Sequence, residues 1–256
     1  MIKFGVFADL HYAKELTIGK RKCGLSLLRL KNIADDFNGR NLDFCICLGD
    51  IITSVQDFNT DTDNIKAVAE GFCDFKMPHH IILGNHDLEA MSKSDYYIAF
   101  GKNPLRSYYS FALKDTKFIV LDANFNEDNS DYCKGNYNWT ESYINAEQFN
   151  WLENELNLSI EENIIIFTHQ NLDYRLSNGK LDACVAKNYN EVEKLLEKSN
   201  KKIKVFQGHY HNGDNQVIGG IEYITLKALC VGDDINYIPR LIVSIEDEIS
   251  ISHMDY

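Results

Sequence analysis

Residues 44–50 read Phe44-Cys45-Ile46-Cys47-Leu48-Gly49-Asp50, an unbroken apolar run that stops on a glycine and a carboxylate. Alternation of polar and apolar residues, the mark of a strand with one wet face, is missing. Short apolar runs without alternation are how strands covered on both faces read, as in layered α/β sheets. Cys45 and Cys47 fit such a run as small buried residues, not as a disulfide pair.

Four more runs repeat the design: IKFGVFAD (2–9) before His11, HHIILGNHD (79–87), NIIIFTH (163–169) and IKVFQGHYH (203–211). Each ends in a polar cluster, and open α/β sheets hold their sites at the carboxyl ends of strands. Between the runs lie stretches with helical spacing: LSLLRLKNIADDFN (25–38), TDNIKAVAEGFCDF (62–75), NAEQFNWLENELNL (145–158) and NYNEVEKLLEKS (188–199). Asn145 with Gln148, and Asn188 with Glu191, stand in capping-box positions. The strand-helix rhythm predicts an α/β fold. YYSFAL (108–113) and KFIVLD (117–122) predict a hairpin. After Gly208 the pieces GIEYITL, RLIVSI and EISISHM predict an antiparallel layer, with turns at Gly219-Gly220 and Asp247-Glu248.

Length and composition suit one domain over residues 1–256, with no repeat or linker to divide it. The polar, aromatic-rich stretch 124–143 is too long for an ordinary connection, and reads either as a surface excursion or as a substrate-facing lid. A net charge of −12 without a basic patch argues against a nucleic-acid partner, since Lys201-Lys202-Ile203-Lys204 reads as a helix end leading into a strand. Seven cysteines, an odd number at spacings foreign to zinc knuckles, suit a reducing cytoplasm. A strand starting at Ile2 with no apolar leader, and no run of membrane-spanning length, predict a soluble cytoplasmic protein with no membrane partner. Oligomeric state leaves no mark in the sequence.

In order, the polar ends are Asp9-x-His11, Gly49-Asp50, Gly84-Asn85-His86-Asp87, His169 and Gly208-His209-x-His211. Asp-x-His alone is weak evidence, whereas the four-residue block at 84–87 occurs by chance in about one such chain in a thousand. Two divalent cations about 3.5–4 Å apart need a ligand that reaches both, and a carboxylate can do this. Asp50 is the candidate. Asp9 with His11, and His209 with His211, are each two residues apart and point the same way from a strand end. Imidazole, carboxylate and amide donors without thiolates suit Mn, Fe or Zn. His79, His80 and His253 match no cluster and read as structural or surface residues.

The ordered blocks resemble the calcineurin-like metallophosphoesterases, whose pattern is D-x-H, G-D, G-N-H-D/E, a lone H, and G-H-x-H; the likeness runs from Asp9 to His211. It implies a four-layer α/β/β/α sandwich with two mixed β-sheets and a dinuclear centre at one sheet edge. Asp9, His11 and His211 would bind one metal, Asn85, His169 and His209 the other, with Asp50 bridging. His86 would serve the leaving group, and Asp87 would orient it. A water shared by two cations becomes hydroxide near neutral pH, the expected nucleophile for in-line attack on phosphorus.

The block continues as GDIITS, without the arginine of the related protein phosphatases, so small phosphoesters are the expected substrates. FADLHYA and NAEQFNWLENEL look similar to the branch of cyclic-nucleotide phosphodiesterases and manganese-dependent ADP-ribose/CDP-alcohol diphosphatases. Likeness to that branch makes Tyr12, Tyr137 and Trp139 candidates to stack on a base and Arg175 a candidate to hold a distal phosphate. The leading expectation is a phosphodiesterase or pyrophosphatase on nucleotide-like substrates. Its alternatives are a phosphomonoesterase and a non-catalytic interaction module on the same fold.

Overall fold

The computed structural model describes residues 1–256 apart from 15, 104–105, 247–248 and 255–256, with backbone alone at 252–254. Its first sheet runs β13 (Ile249–Met254), β12 (Leu241–Ile245), β1 (Ile2–Phe7), β2 (Phe44–Cys47), β3 (His79–Ile81). The second runs β10 (Asn212–Ile218), β11 (Ile221–Lys227), β9 (Lys202–Gln207), β6 (Asn163–Thr168), β5 (Thr116–Val120), β4 (Tyr109–Leu113). In the first sheet β1, β2 and β3 are parallel and β12 and β13 add antiparallel on the β1 side; in the second, parallel pairs fill the centre and antiparallel strands form both margins. A two-stranded ribbon, β7 (Leu176–Ser177) with β8 (Lys180–Leu181), stands apart.

The missing alternation has a direct cause: successive residues of each central strand enter different cores. Phe4, Val6, Phe44 and Ile46 meet Phe118, Phe167 and Phe206 of the second sheet, and form the middle layer. Phe4 stacks on Phe44 at 4.9 Å and meets three other rings edge-on, an arrangement aromatic quadrupoles favour. Phe7, Cys45 and Cys47 turn outward onto α1 (Ser26–Asn38), α2 (Phe58–Phe72) and α3 (Lys93–Ala99). On the other outer face, Ile164, Ile166 and Val205 pack under α4 (Ala146–Leu158) and α5 (Tyr189–Lys198). Two mixed sheets with helices outside make the α/β/β/α sandwich.

Several local readings change. The pieces after Gly208 do not form one antiparallel layer: β11 pairs parallel with β9, while β12 crosses to pair with β1 in the other sheet. The turn at Gly219-Gly220 does join β10 to β11, and the turn at Asp247-Glu248 lies outside the described residues. His79 and His80 stand inside β3, where His80 stacks on Phe111 at 4.6 Å. Helix α2 begins at Phe58, capped by Asp57. Helix α3 is a further element, opened by a capping box of Ser92 and Asp95.

Neither expected capping box closes. Asn145 accepts from the Gln148 amide, but the Gln148 side chain instead binds both backbone groups of Asp122. Asn188 likewise binds both backbone groups of Ile144 and leaves its helix uncapped. Segments leaving a sheet carry backbone groups that a distant side chain must satisfy. The 124–143 insertion is anchored on the body of the fold. The Lys93 ammonium sits 2.7 Å from both Asp122 and Asp131 and 3.3 Å above the Phe125 ring. Among the described residues no helix is long and apolar enough to cross a membrane.

Candidate metal centre

All five polar clusters lie beyond the carboxyl ends of β1, β2, β3, β6 and β9, where the edges of the two sheets meet. Backbone pairing runs past the strand ends: Asp9 N–H reaches Gly49 O, His11 N–H reaches Asp50 O, and Gly208 N–H reaches His169 O. Asp9, His11, Asp50 and His209 have φ of 58°, 49°, 49° and 66°, a left-handed conformation that costs a non-glycine residue about 1 kcal/mol. Strain of this kind persists where the surrounding structure holds it. It turns the side chains inward from consecutive bends.

Glycines allow the approach. A Cβ on Gly84 would lie 2.2 Å from the Asp50 nitrogen and Oδ1, and one on Gly49 would lie 2.7 Å from the Gly84 nitrogen. Gly84→Ala is expected to displace the Asp50 carboxylate, with a cost of about 1–3 kcal/mol from overpacking. A thermal melt with metal analysis checks this, and wild-type values for both would refute it.

Asp50 stands at the centre. Its Oδ1 accepts from the His86 backbone N–H at 2.8 Å. Its Oδ2 is buried without a hydrogen-bond partner, 3.4 Å from His11 Nε2 and 3.3 Å from His169 Nε2. On one side His211 Nε2 lies 3.0 Å from His11 Nε2 and 3.5 Å from Asp9 Oδ1. On the other, Asn85 Oδ1 and His209 Nδ1 lie 3.1 and 3.2 Å from His169 Nε2. His11 Nδ1 is held by Thr53 Oγ1 at 3.1 Å and His169 Nδ1 by the Leu48 carbonyl at 2.7 Å, so both Nε2 atoms face Asp50. These residues fit two divalent cations: an orphaned carboxylate oxygen stands between two groups of N and O donors. Asp50 would be the residue shared between them, with Oδ1 already accepting from the His86 amide and Oδ2 without a hydrogen bond.

Charge follows the same plan. Burial pushes His11 and His209 well below the usual imidazole range, which leaves them neutral. Burial also opposes charge on His169, but the Asp50 carboxylate outweighs it and carries His169 up to about 9. Without metal, His169⁺–Asp50⁻ is therefore a buried pair. Its folded-state pKa lies above the unfolded value of about 6.5, so its stabilisation is complete below that pH and is lost as pH rises through about 9. Metal ligands must be deprotonated. Binding of Mn near neutral pH is expected to release about one proton from this side of the site. Calorimetry in buffers of different ionisation enthalpy measures it, and zero release would contradict the pairing.

The structure assigns different work to three residues expected here. Asp87 does not touch His86: its carboxylate accepts from the N–H groups of Gly84, Ile51 and Ile52, and so ties the turns after β2 and β3 together. Burial and the neighbouring Asp50 raise its pKa, and these N–H bonds oppose the shift. The carboxylate beside His86 is Glu89, 2.5 Å from Nδ1, three residues along the same short turn. Tyr12 is buried in the outer helical core and offers no stacking face. Arg175 is engaged by Asp173 at 3.1 Å and Asp214 at 2.9 Å, and lies over Tyr210, so its charge is already matched.

The insertion reaches the site. Tyr137 Oη accepts from Asn85 Nδ2 at 3.1 Å and donates to Glu89 at 3.4 Å. Trp139, 41% exposed, stands edge-on to His209 at 5.9 Å. Three neighbours carried no motif. Cys230 places its thiol within 4.8 Å of the His11 and His211 nitrogens. Arg21 Nη1 lies 3.3 Å from His86 Nε2. Glu89 alone had a readable signal, its spacing of three from His86.

The family model described as calcineurin-like phosphoesterase matches residues 2–213. A protein of Fibrobacter succinogenes, described as a probable cyclic nucleotide phosphodiesterase, is 25% identical over 225 residues, covering 83% of this chain and 73% of that protein. A dimetal phosphatase from Danio rerio superposes with a TM-score of 0.73 at 17% identity, covering 98% of this chain and 95% of the other. Purple acid phosphatase from yellow lupin (Lupinus luteus) seeds gives 0.63 at 13%, covering 94% and 49%. At these identities the two structures speak for the fold.

Proposed function

The chain belongs to the calcineurin-like phosphoesterase family and is a metal-dependent phosphohydrolase, and from that premise we propose that it cleaves small nucleotide-like phosphodiesters or diphosphates at a dinuclear centre. The observation that carries this reading is Asp50 Oδ2, buried and unpartnered between His11 Nε2 and His169 Nε2. Asp9, His11 and His211 would hold one divalent cation, and Asn85, His169 and His209 the second, with Asp50 shared. Bound there, the two cations supply Lewis acidity that makes a nearby water a nucleophile near neutral pH and offsets phosphoryl charge.

The chain's own residues do the rest. Leu48 O and Thr53 Oγ1 fix the rings of His169 and His11. Glu89 holds His86 Nδ1, and burial is outweighed by Asp50 and Glu89 so that the His86 pKa is raised. In this structure Nε2 accepts from Arg21, so His86 would carry a proton on Nε2 toward the leaving oxygen, a role of general acid, once substrate draws the guanidinium away. Trp139, at the rim beside His209, offers a flat face to a base. Manganese is the proposed metal and the cytoplasm the proposed compartment.

Metal analysis with a screen of phosphomonoesters, cyclic nucleotides and nucleoside-diphosphate conjugates, and bis-p-nitrophenyl phosphate as a general diester, tests the reading. Bound metal and Mn-dependent turnover of diesters or diphosphates are expected. Neither metal nor turnover would mean an interaction module on the same fold, and turnover of monoesters alone would mean a phosphomonoesterase.

A further inference from the structure

Arg21 is fixed by the fold before any ligand arrives. Ile18 and Arg21 close a tight turn with two backbone bonds, Ile18 N–H to Arg21 O at 3.1 Å and Arg21 N–H to Ile18 O at 2.9 Å. The neighbours are pinned as well: Lys22 N–H donates to Cys230 O at 2.7 Å, and Gly232 N–H to Lys20 O at 3.1 Å. Segment 229–234 is in turn clamped by the buried Arg29 guanidinium, which donates to Leu229 O at 2.8 Å and Asp234 O at 3.1 Å. A half-buried guanidinium on such a base is preorganised, so little of its rotamer freedom remains to be lost on binding.

Its charge meets no carboxylate among the described residues. Of the six arginines, Arg29 donates to carbonyls, while Arg40, Arg106, Arg175 and Arg240 meet carboxylates. Among the described residues no carboxylate lies within ion-pairing distance of Arg21, whose guanidinium ends 3.3 Å from His86 Nε2. A permanent cation beside an imidazole nitrogen and a site for two dications is costly until an anion enters between them. Guanidinium geometry suits phosphate oxygens, which it binds in pairs.

We propose that Arg21 forms an anion subsite on the leaving-group side of the reacting phosphorus and holds a second phosphoryl group of the substrate. The inference rests on the phosphohydrolase reading and on the place of Arg21 beside the atom that would protonate the leaving oxygen. In hydrolysis the water oxygen bonds to phosphorus and its spare proton passes to solvent. The phosphorus–oxygen bond to the leaving group breaks, and the electron pair stays on that oxygen. When the oxygen belongs to a second phosphate, Arg21 turns its N–H groups from His86 Nε2 onto that phosphate and offsets its charge, which frees Nε2 to carry a proton to the leaving oxygen. A leaving alcohol would leave Arg21 unmatched.

Calorimetric affinities of AMP and ADP for the Mn-loaded protein, Arg21→Ala and Arg21→Lys test the subsite, with metal content and melting temperature measured alongside. Wild type is expected to prefer ADP. Arg21→Ala is expected to weaken ADP about 10- to 100-fold, the worth of a charge-assisted pair, and to erase most of the preference, while Arg21→Lys restores part of it. An ADP preference that survives Arg21→Ala, or equal weakening of both nucleotides, would overturn the subsite while leaving the hydrolase reading intact if bis-p-nitrophenyl phosphate is still turned over. A preference lost in Arg21→Ala, in a protein that turns over no phosphoester, would support the subsite and refute the hydrolase reading.

Discussion

Asp50→Ala is expected to empty the site of both cations and to lower phosphoesterase turnover by about 10³-fold or more, since the charge stabilisation at stake is several kcal/mol. Asp50 stands between the two groups of donors, with Oδ2 within 3.4 Å of a ring nitrogen on each side. A second readout separates this from simple unfolding. Asp50 is the group that holds His169 up at about 9, so in Asp50→Asn the metal-free His169 should titrate far lower, because burial alone then acts on it. Metal analysis, turnover and the His169 titration by NMR make the test. A variant that keeps two metals, or a His169 that still titrates near 9, would show that Asp50 is not the shared group.

His86→Ala is expected to leave metal content near wild type and to reduce kcat by about 10²–10⁴-fold, the usual contribution of a positioned acid. Its ring stands edge-on to His11 at 4.8 Å, and its hydrogen bond to Asp50 comes from the backbone N–H. Glu89→Gln should act through the ring, at about 10–100-fold, the scale seen when a partner that orients a functional imidazole is removed. It should also lower the pH at which the alkaline limb of kcat falls, because Glu89 helps raise the His86 pKa and a general acid is lost as pH rises through its pKa. Asp87→Asn should disturb folding or metal uptake instead, since its carboxylate binds three backbone N–H groups and not the His86 ring. Equal kinetic defects without metal loss in Glu89→Gln and Asp87→Asn would refute this division of labour.

The polar cluster around Asp50 was legible because metal chemistry restricts residue type and strand ends restrict spacing. Asp9-x-His11 and His209-x-His211 repeat an interval of two, and Gly84-Asn85-His86-Asp87 is short enough to read as a block. The layers were legible too, since a strand that feeds two cores must be apolar at every position, as Phe44–Cys47 is. Arg175 is matched by carboxylates from two places, Asp173 two residues before it and Asp214 on β10, and the second comes from far along the chain. Asn188 looked like a helix cap but serves Ile144, 44 residues away.

By itself, then, the sequence determined the α/β class, the family likeness and the order of the donor residues, because these are written in composition and in spacings of a few residues. Tertiary structure alone decided that Glu89 and not Asp87 meets the His86 ring, that one oxygen of Asp50 is buried without a hydrogen bond, and that Arg21 ends at the same ring with no carboxylate partner among the described residues. Those facts depend on how turns from different strands are brought within 3–4 Å of one another, and packing sets that distance between segments whose separation along the chain carries no period to read.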